Sequence, residues 1–445
     1  LACKALELQV ELTPAAAEMA GNQQHSLLFS LLPGNPNIKA FVDRLILFFH
    51  RVLPSSPGEP PMKRSTDRIL TTHAGSLPRP ADLLAMGEAR QDGKPVDAAA
   101  YEARLAQAVG DIVRKQAELG IDVVDDGELG KPGFVTYVNE RLSGFEVDPE
   151  RTGRNPWAGS REARSFPEFY AETAGAGSRH VHMVCTGPIA YRGHAQLQRD
   201  IGNFRAALGA VTVEEAFIPA VSPANVEDWQ RNAYYKTQEE YLFAIADALH
   251  EEYRAIVDAG FLLQIDDPRL VTYWLLKPEL GVADVLAWAK VRVEALNHAL
   301  RGIPQEKIRF HTCYGINMGP RVHDMELKDI VHLILDIRAG AFSFEAANPR
   351  HEHEWKVWEN VKLPDGAVLI PGVISNSTVL VEHPELVAQR IGRFAKVVGR
   401  ENVIAGSDCG FATFASSKEI HASIVWAKLQ ALAEGARIAS KELFS

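Results

Sequence analysis

Cysteine is scarce in this chain. Four occur in 445 residues: Cys3, Cys185, Cys313 and Cys409. They lie too far apart for the framework of a small disulfide-stapled secreted domain, and reduced thiols in a cytosolic enzyme fit better. Clusters of positive charge are absent too. Acidic residues outnumber basic ones by 57 to 47, and the net charge is −10. Without a basic block, nucleic acid and anionic membrane are excluded as natural partners. Long apolar runs are missing as well. The stretch "AFVDRLILFFHRVL" from Ala40 is broken by Asp43 and Arg44 and is too short to span a bilayer. It lacks the layout of a secretory signal, and Glu7, Glu11 and Glu18 argue against a transit peptide. What is present is ordinary globular composition, 46% hydrophobic and 23% charged, with chain enough for a large core.

The first 61 residues differ from the rest. They contain "LLPGNPN" and close on "LPSSPGEPP", a Pro/Ser/Gly run suited to a linker. The expectation is that residues 1–61 are a leader or linker outside the fold. Residues 62–445 would then form one catalytic domain starting at Met62. The alternative is an extension whose amphipathic piece docks on that domain.

From Arg68 onward short apolar runs alternate with long helical stretches. The runs are "RILTTHAGS" (68–76), "DVVDDGE" (122–128), "HVHMVCTGP" (180–188), "FLLQIDDP" (261–268), "IRFHTCYG" (308–315), "AFSFEAANP" (341–349), "AVLIPGVIS" (367–375) and "NVIAGSDCG" (402–410). Strand–helix alternation predicts a parallel sheet, and eight units predict an α/β fold of the (β/α)8 TIM-barrel type. "EAFIPAVS" (215–222) is a ninth candidate, read as an insertion after the third strand. The polar, Gly/Arg/Pro-rich stretch 129–179 reads as a loop excursion over the active-site face.

Polar residues gather at the C-terminal ends of the runs: Glu128, Asp266 with Asp267, His311 with Cys313, Glu345, Ser375 and Cys409. Active sites of such barrels sit at that face. His311 and Cys313 are two apart on a strand, so they share a side. Cys409 ends another strand, and Glu345 ends a strand between them. A His, two Cys and a carboxylate make a four-coordinate set suited to Zn²⁺, with thiolates selecting it over Mg²⁺ or Ca²⁺. The bland alternative is two small buried cysteines and a satisfied core histidine. Two thiolates and a carboxylate overcompensate the charge of a zinc ion. Such a metal is a poor activator of water, but it lowers the pKa of an incoming thiol and leaves the sulfur electron-rich. Alkyl transfer to a thiol is the chemistry that follows.

At these residues the chain resembles the catalytic barrel of the cobalamin-independent methionine synthase family. The shared segments, in order, are "TTHAGSLPRP", "DDGE", "TGP", "QIDDP", "HTCYG", "FEAANPR" and "SDCG". The resemblance implies zinc on His311, Cys313, Glu345 and Cys409. It implies that Ser76, Glu128 and Asp266 hold the amino-acid end of homocysteine, the two carboxylates pairing its ammonium. The implied reaction methylates homocysteine to methionine without cobalamin, with a methyl-tetrahydrofolate as donor. Single-barrel relatives such as epoxyalkane:coenzyme M transferase imply an alternative, alkylation of another thiol. The chain departs from the family pattern at "IAYRG" (189–193), at "DDP" (266–268) and at "AANPRHEHEW" (346–355), around the donor and the tail of the thiol.

Four further residues are candidates for catalysis or substrate contact. His73 in "TTHAG" is either an acid–base group on the donor side or a packing residue. His323 is a candidate proton shuttle for the incoming thiol. Arg350 and His351 belong to "RHEHEW", which reads as a polar loop leaving the sixth strand, with a substrate-contact role open. The expected partners are a small-molecule thiol and a methyl or alkyl donor, and the expected location is the cytoplasm.

Overall fold

Strands buried on both faces are written as continuous apolar runs, and a closed parallel sheet is the architecture that needs them. The computed structural model describes residues 61–150, 157–173, 181–315, 319–415 and 420–445. The predicted leader or linker therefore lies, except for Pro61, outside the described residues. The barrel strands are β1 (Leu70–Thr71), β2 (Val123–Val124), β3 (Glu215–Val221), β4 (Leu262–Asp266), β5 (Ile308–His311), β6 (Ala341–Phe344), β7 (Val368–Ile374) and β8 (Ile404–Ser407). Their order is β1–β8–β7–β6–β5–β4–β3–β2. Across the remaining seam Asp122 N donates to Thr71 O at 3.1 Å, and Thr72 Oγ1 donates to Val123 O at 2.9 Å. The fold is the (β/α)8 barrel that the alternation predicted.

The helices that alternate with the strands are α1 (Ala98–Glu118), α2 (His194–Leu208), α3 (Gln238–Asp258), α4 (Val282–Ala299), α5 (Leu327–Leu335), α6 (Pro384–Val398) and α7 (Ala422–Leu443). Between β6 and β7 a 3₁₀ helix, Glu352–Glu359, takes the place of a longer one. Caps fix the starts. The Asp97 side chain accepts from the backbone N–H of Ala99 and Ala100 before α1, and Thr237 accepts from Glu240 before α3. In α3 the buried face runs Tyr241, Leu242, Ile245, Leu249, Tyr253, Ile256, the spacing of one helical stripe. Cutting Leu249 to Ala in that stripe would cost about 2–5 kcal/mol.

One barrel end is closed by Met62, Leu70, Val123, Phe217, Leu262, Ala341, Val368, Ile370 and Ile404. Arg309 lies against this plug. Its guanidinium stacks on the Phe217 ring at 3.9 Å and donates to Thr72 Oγ1 and His73 O. This buried cation separates the apolar plug from the polar mouth.

The third strand corrects the sequence reading. The barrel uses Glu215–Val221, flanked by β2 and β4. The run at 180–188 contributes Met183–Cys185 to a separate three-stranded sheet with Phe145–Val147 and Arg231–Asn232. The physical reason is burial. Residues 217–221 are buried throughout, whereas Val181 is 43% exposed and Met183 only half-buried. Polar residues closing the run at 180–188 imitated a barrel strand end.

The predicted excursion does cross the loops at the C-terminal ends of the strands. Arg161 stacks on Trp274 at 3.5 Å and donates to the Trp274 and Leu280 carbonyls. The Glu162 carboxylate accepts from Arg321 N and His323 N. Phe134 N donates to Thr413 O, and Ala415 N to Pro132 O.

Candidate active site

Strand register builds the site. β4 and β5 pair so that Asp266 stands directly opposite His311. His311 Nδ1 lies 3.0 Å from Asp266 Oδ1, and Gln264 Nε2 holds the same oxygen from two residues back on that face. Cys313 follows His311 by two positions. Cys409 follows β8, and its Sγ lies 2.9 Å from that of Cys313. One ring nitrogen and the two sulfurs all fall within 4.8 Å of one another, and all three residues are buried. A buried nitrogen and two sulfurs so close together are a donor set that can hold a soft-ligand metal.

The electrostatics fit that use. Burial opposes the charged form of His311, but the Asp266 hydrogen bond and the charge at Cys313 outweigh it and raise its pKa to about 9. The Cys409 thiol donates to Cys313, which lowers the Cys313 pKa and, together with burial, raises that of Cys409. A cation in the cluster would relieve both thiols at once.

A family profile described as "Cobalamin-independent synthase, Catalytic domain" matches residues 69–196 and 207–430. The chain belongs to that family. It is 26% identical over 375 residues to the methionine synthase of Thermococcus kodakarensis, covering 84% of this chain and 94% of that protein. The methionine synthase of Sulfolobus acidocaldarius is likewise 26% identical, over 376 residues, with 84% and 93% covered. In fold the chain is similar to a B12-independent methionine synthase from Shewanella sp. W3-18-1, solved in complex with selenomethionine. The TM-score is 0.64 at 21% identity, over 84% of this chain and 99% of that one.

Within this cobalamin-independent synthase fold, Glu345 is the fourth member of the predicted ligand set. It sits close enough for its charge to push both thiols upward, adding to the rise at Cys409 and opposing the net lowering at Cys313 that the Cys409 hydrogen bond produces. Its oxygens are already engaged: Oε1 accepts from Tyr314 N at 2.7 Å, and Oε2 from Arg321 Nη2 at 2.9 Å and from Asn348 Nδ2. The structure groups three of the four predicted ligands and holds the fourth beside them.

The predicted substrate residues line the same mouth. Ser76 packs on Gly410, next to Cys409, so closely that a Cβ at Gly410 would stand 2.1 Å from Ser76 Oγ. Glu128 is buried with φ at +55°, a left-handed conformation that costs a non-glycine residue on the order of 1 kcal/mol. Asp126 holds that turn by accepting from Glu128 N. Asp266 is turned onto His311, as described.

The remaining candidates separate. His73 is buried, bonded to Gln116 and Gly75 N, and burial lowers its pKa to about 4. It is a neutral histidine packed against Phe217. His323 lies on the rim, 2.7 Å from Ser165 Oγ of the excursion. Arg350 is exposed and donates to the carbonyls of Arg321 and Val322. His351 is buried between Asp324 and Glu354, at 3.2 and 2.7 Å, and stacks on Tyr314 at 3.8 Å.

Three residues escaped the sequence reading. Arg321, also left-handed at φ +58°, bridges Asp324 and Glu345. Asp408 accepts from the backbone N–H of Ala346 and Ala347, tying the Cys409 turn to the Glu345 turn. Burial, with the nearby Glu345 charge, pushes Asp408 up to about 7. Lys131 is buried against Glu128. The segment "SDCG" contains Asp408 and was the signal that could have found it; Arg321 and Lys131 stand in loops with no motif of their own.

Proposed function

We propose that this chain is a cytosolic enzyme that methylates the sulfur of a small-molecule thiol, with zinc held by His311, Cys313 and Cys409 and with Glu345 as the fourth ligand. Homocysteine is the acceptor suggested by the relatives, and a methyl-tetrahydrofolate is the donor we assign. Among the described residues no helix is long and apolar enough to cross a membrane. The observation that carries the reading is the buried His311–Cys313–Cys409 cluster at the ends of β5 and β8.

The residues have distinct tasks in this reading. When bound, zinc lowers the pKa of the incoming thiol while the two cysteine sulfurs keep it nucleophilic. Asp266 fixes the ring of His311, as carboxylates do for metal-bound histidines. Arg321 and Asn348 balance the charge of Glu345, so it can stand beside two thiolates. Ser76 and the Glu128 turn shape the space for the tail of the acceptor. Phe134 and the segment from Arg161 to Ser165, which pack on the loops at the mouth, screen it from water. In the transfer the acceptor sulfur forms a bond to the methyl carbon as the donor's bond to it breaks. The thiol gives up one proton, and the leaving nitrogen takes one up.

A second reading, alkylation of a thiol such as coenzyme M, is favoured by one contact: Glu128 already has a cationic partner in Lys131. Zinc-edge absorption spectroscopy tests the main reading. Purified protein should hold about one zinc, and homocysteine should add one sulfur to its shell. A protein that takes up no zinc, or whose zinc gains no sulfur from any thiol, would refute it.

A further inference from the structure

The end of β7 has no task in the reading above, although β7 lies between the strands that lead to Glu345 and Cys409. Asn376, just past this strand, is 4% exposed. Strand pairing puts it there. Asp408 N donates to Ile374 O at 3.0 Å, and two residues further along each segment Asn376 Nδ2 donates to Gly410 O at 3.4 Å. Gly410, next to Cys409, is therefore held between Asn376 on one side and Ser76 on the other. The loop that carries Asn376 is anchored from outside the mouth. Ser375 N donates to Glu382 Oε1 at 2.8 Å, and Glu382 pairs with the buried Lys428 of α7 at 2.9 Å.

The chemistry of the amide fixes which way it faces. Turned over, its oxygen would meet the carbonyl oxygen of Gly410, an acceptor against an acceptor. In the observed orientation Nδ2 is used, and Oδ1 has no partner among the described residues. A buried acceptor without a donor is costly, and a folded protein keeps one where a ligand supplies the donor. The position on the barrel says which ligand. Ser76, Glu128 and Asp266, the residues for the amino-acid end of the acceptor, belong to β1, β2 and β4, on the other side of Cys409 from β7. The tail of homocysteine takes that arc, and the arc at β7 is left to the methyl donor.

We propose that Asn376 contacts the methyl donor, its Oδ1 accepting a hydrogen bond from the protonated nitrogen that carries the methyl group. The inference rests on the thiol-methylation reading above and adds a contact to its donor. A neutral tertiary amine is a poor leaving group, and a proton taken from solvent makes it a better one. The sulfur's electron pair forms the S–C bond, the C–N pair stays on nitrogen, and the proton already there remains. Asn376 gives and takes no proton. It favours the protonated amine by accepting its N–H.

The test compares wild type with Asn376→Leu, which keeps the bulk and removes the acceptor. Two methyl donors are used with homocysteine: methyl-tetrahydrofolate, and methyl iodide, which has no nitrogen to protonate. Methionine formed is the readout. Asn376→Leu should lose about 10- to 100-fold in kcat with methyl-tetrahydrofolate and keep the wild-type rate with methyl iodide. The fall of its folate-dependent rate with rising pH should begin about one unit lower for each tenfold lost. Homocysteine affinity, read from the sulfur-to-cobalt charge-transfer band of the Co²⁺-loaded chain, should stay within about twofold of wild type. Asn376→Ala carries the test if Asn376→Leu does not fold. Equal losses with both donors, no loss with either, or a selective loss of homocysteine affinity would overturn the assignment of Asn376 while leaving the methylation reading intact. Wild type that makes methionine from methyl iodide but none from methyl-tetrahydrofolate would instead refute the donor reading, and the inference with it.

Discussion

His351 offers a test of the buried charge network behind the sulfur cluster. It is clamped between Asp324 and Glu354 and covered by Tyr314. Burial disfavours its charge, yet the two carboxylates outweigh burial and raise its pKa from 6.5 to about 9. The folded state therefore holds this proton more tightly than the unfolded chain does. The stabilisation is complete below the unfolded pKa of 6.5 and is lost as pH rises through about 9. At about 1.4 kcal/mol per pKa unit, the raise is worth about 3 kcal/mol. His351→Gln removes the titrating group and keeps a hydrogen-bonding side chain of similar size. The assay is urea unfolding of metal-free wild type and variant at pH 6, 7.5 and 9. Wild type should exceed the variant most at pH 6, and the gap should shrink by about 3 kcal/mol by pH 9. His311 titrates over the same window, but it is present in both proteins and cancels in the difference. A gap that stays constant from pH 6 to 9 would show that His351 is neutral in the fold, and the network argument would fail.

Three further outcomes follow from the geometry. Cys409→Ala should lose bound zinc and activity yet stay folded, while Cys185→Ala, whose thiol donates to Gly187 O away from the cluster, should keep both; equal zinc in the two, by elemental analysis, would return these cysteines to a packing role. Asp266→Asn should weaken zinc binding by about 10- to 100-fold through loss of the carboxylate that orients His311, a result that chelator competition would read; unchanged affinity would exclude that role. Gly410→Ala drives a Cβ into Ser76 and should cost about 1–3 kcal/mol of stability, seen as a lower melting temperature, because the Cys409 turn must move; a variant as stable as wild type would mean the packing there is loose.

Much of the site was legible because barrel strands place their C-terminal residues at one mouth. The His-x-Cys spacing put His311 and Cys313 on one face, and "SDCG" put Cys409 at another strand end. The barrel itself followed from counting alternating runs. The third strand was misread because the runs at 180–188 and 215–222 are both short, apolar and polar-ended. Burial, which only the folded chain defines, separates them.

What the sequence determined by itself is therefore what local periodicity can carry: the fold class, the face on which the site lies, and the residue types that gather there. What tertiary structure alone decided is who partners whom. Asp266 became the companion of His311 because β4 and β5 pair in that register. Glu345 was turned onto Arg321 from a loop 24 positions earlier. Glu128 found its cation in Lys131, held in place by a carbonyl 88 residues away. Charge compensation depends on distances of a few ångströms between segments remote in sequence. No local pattern encodes those distances until the barrel closes.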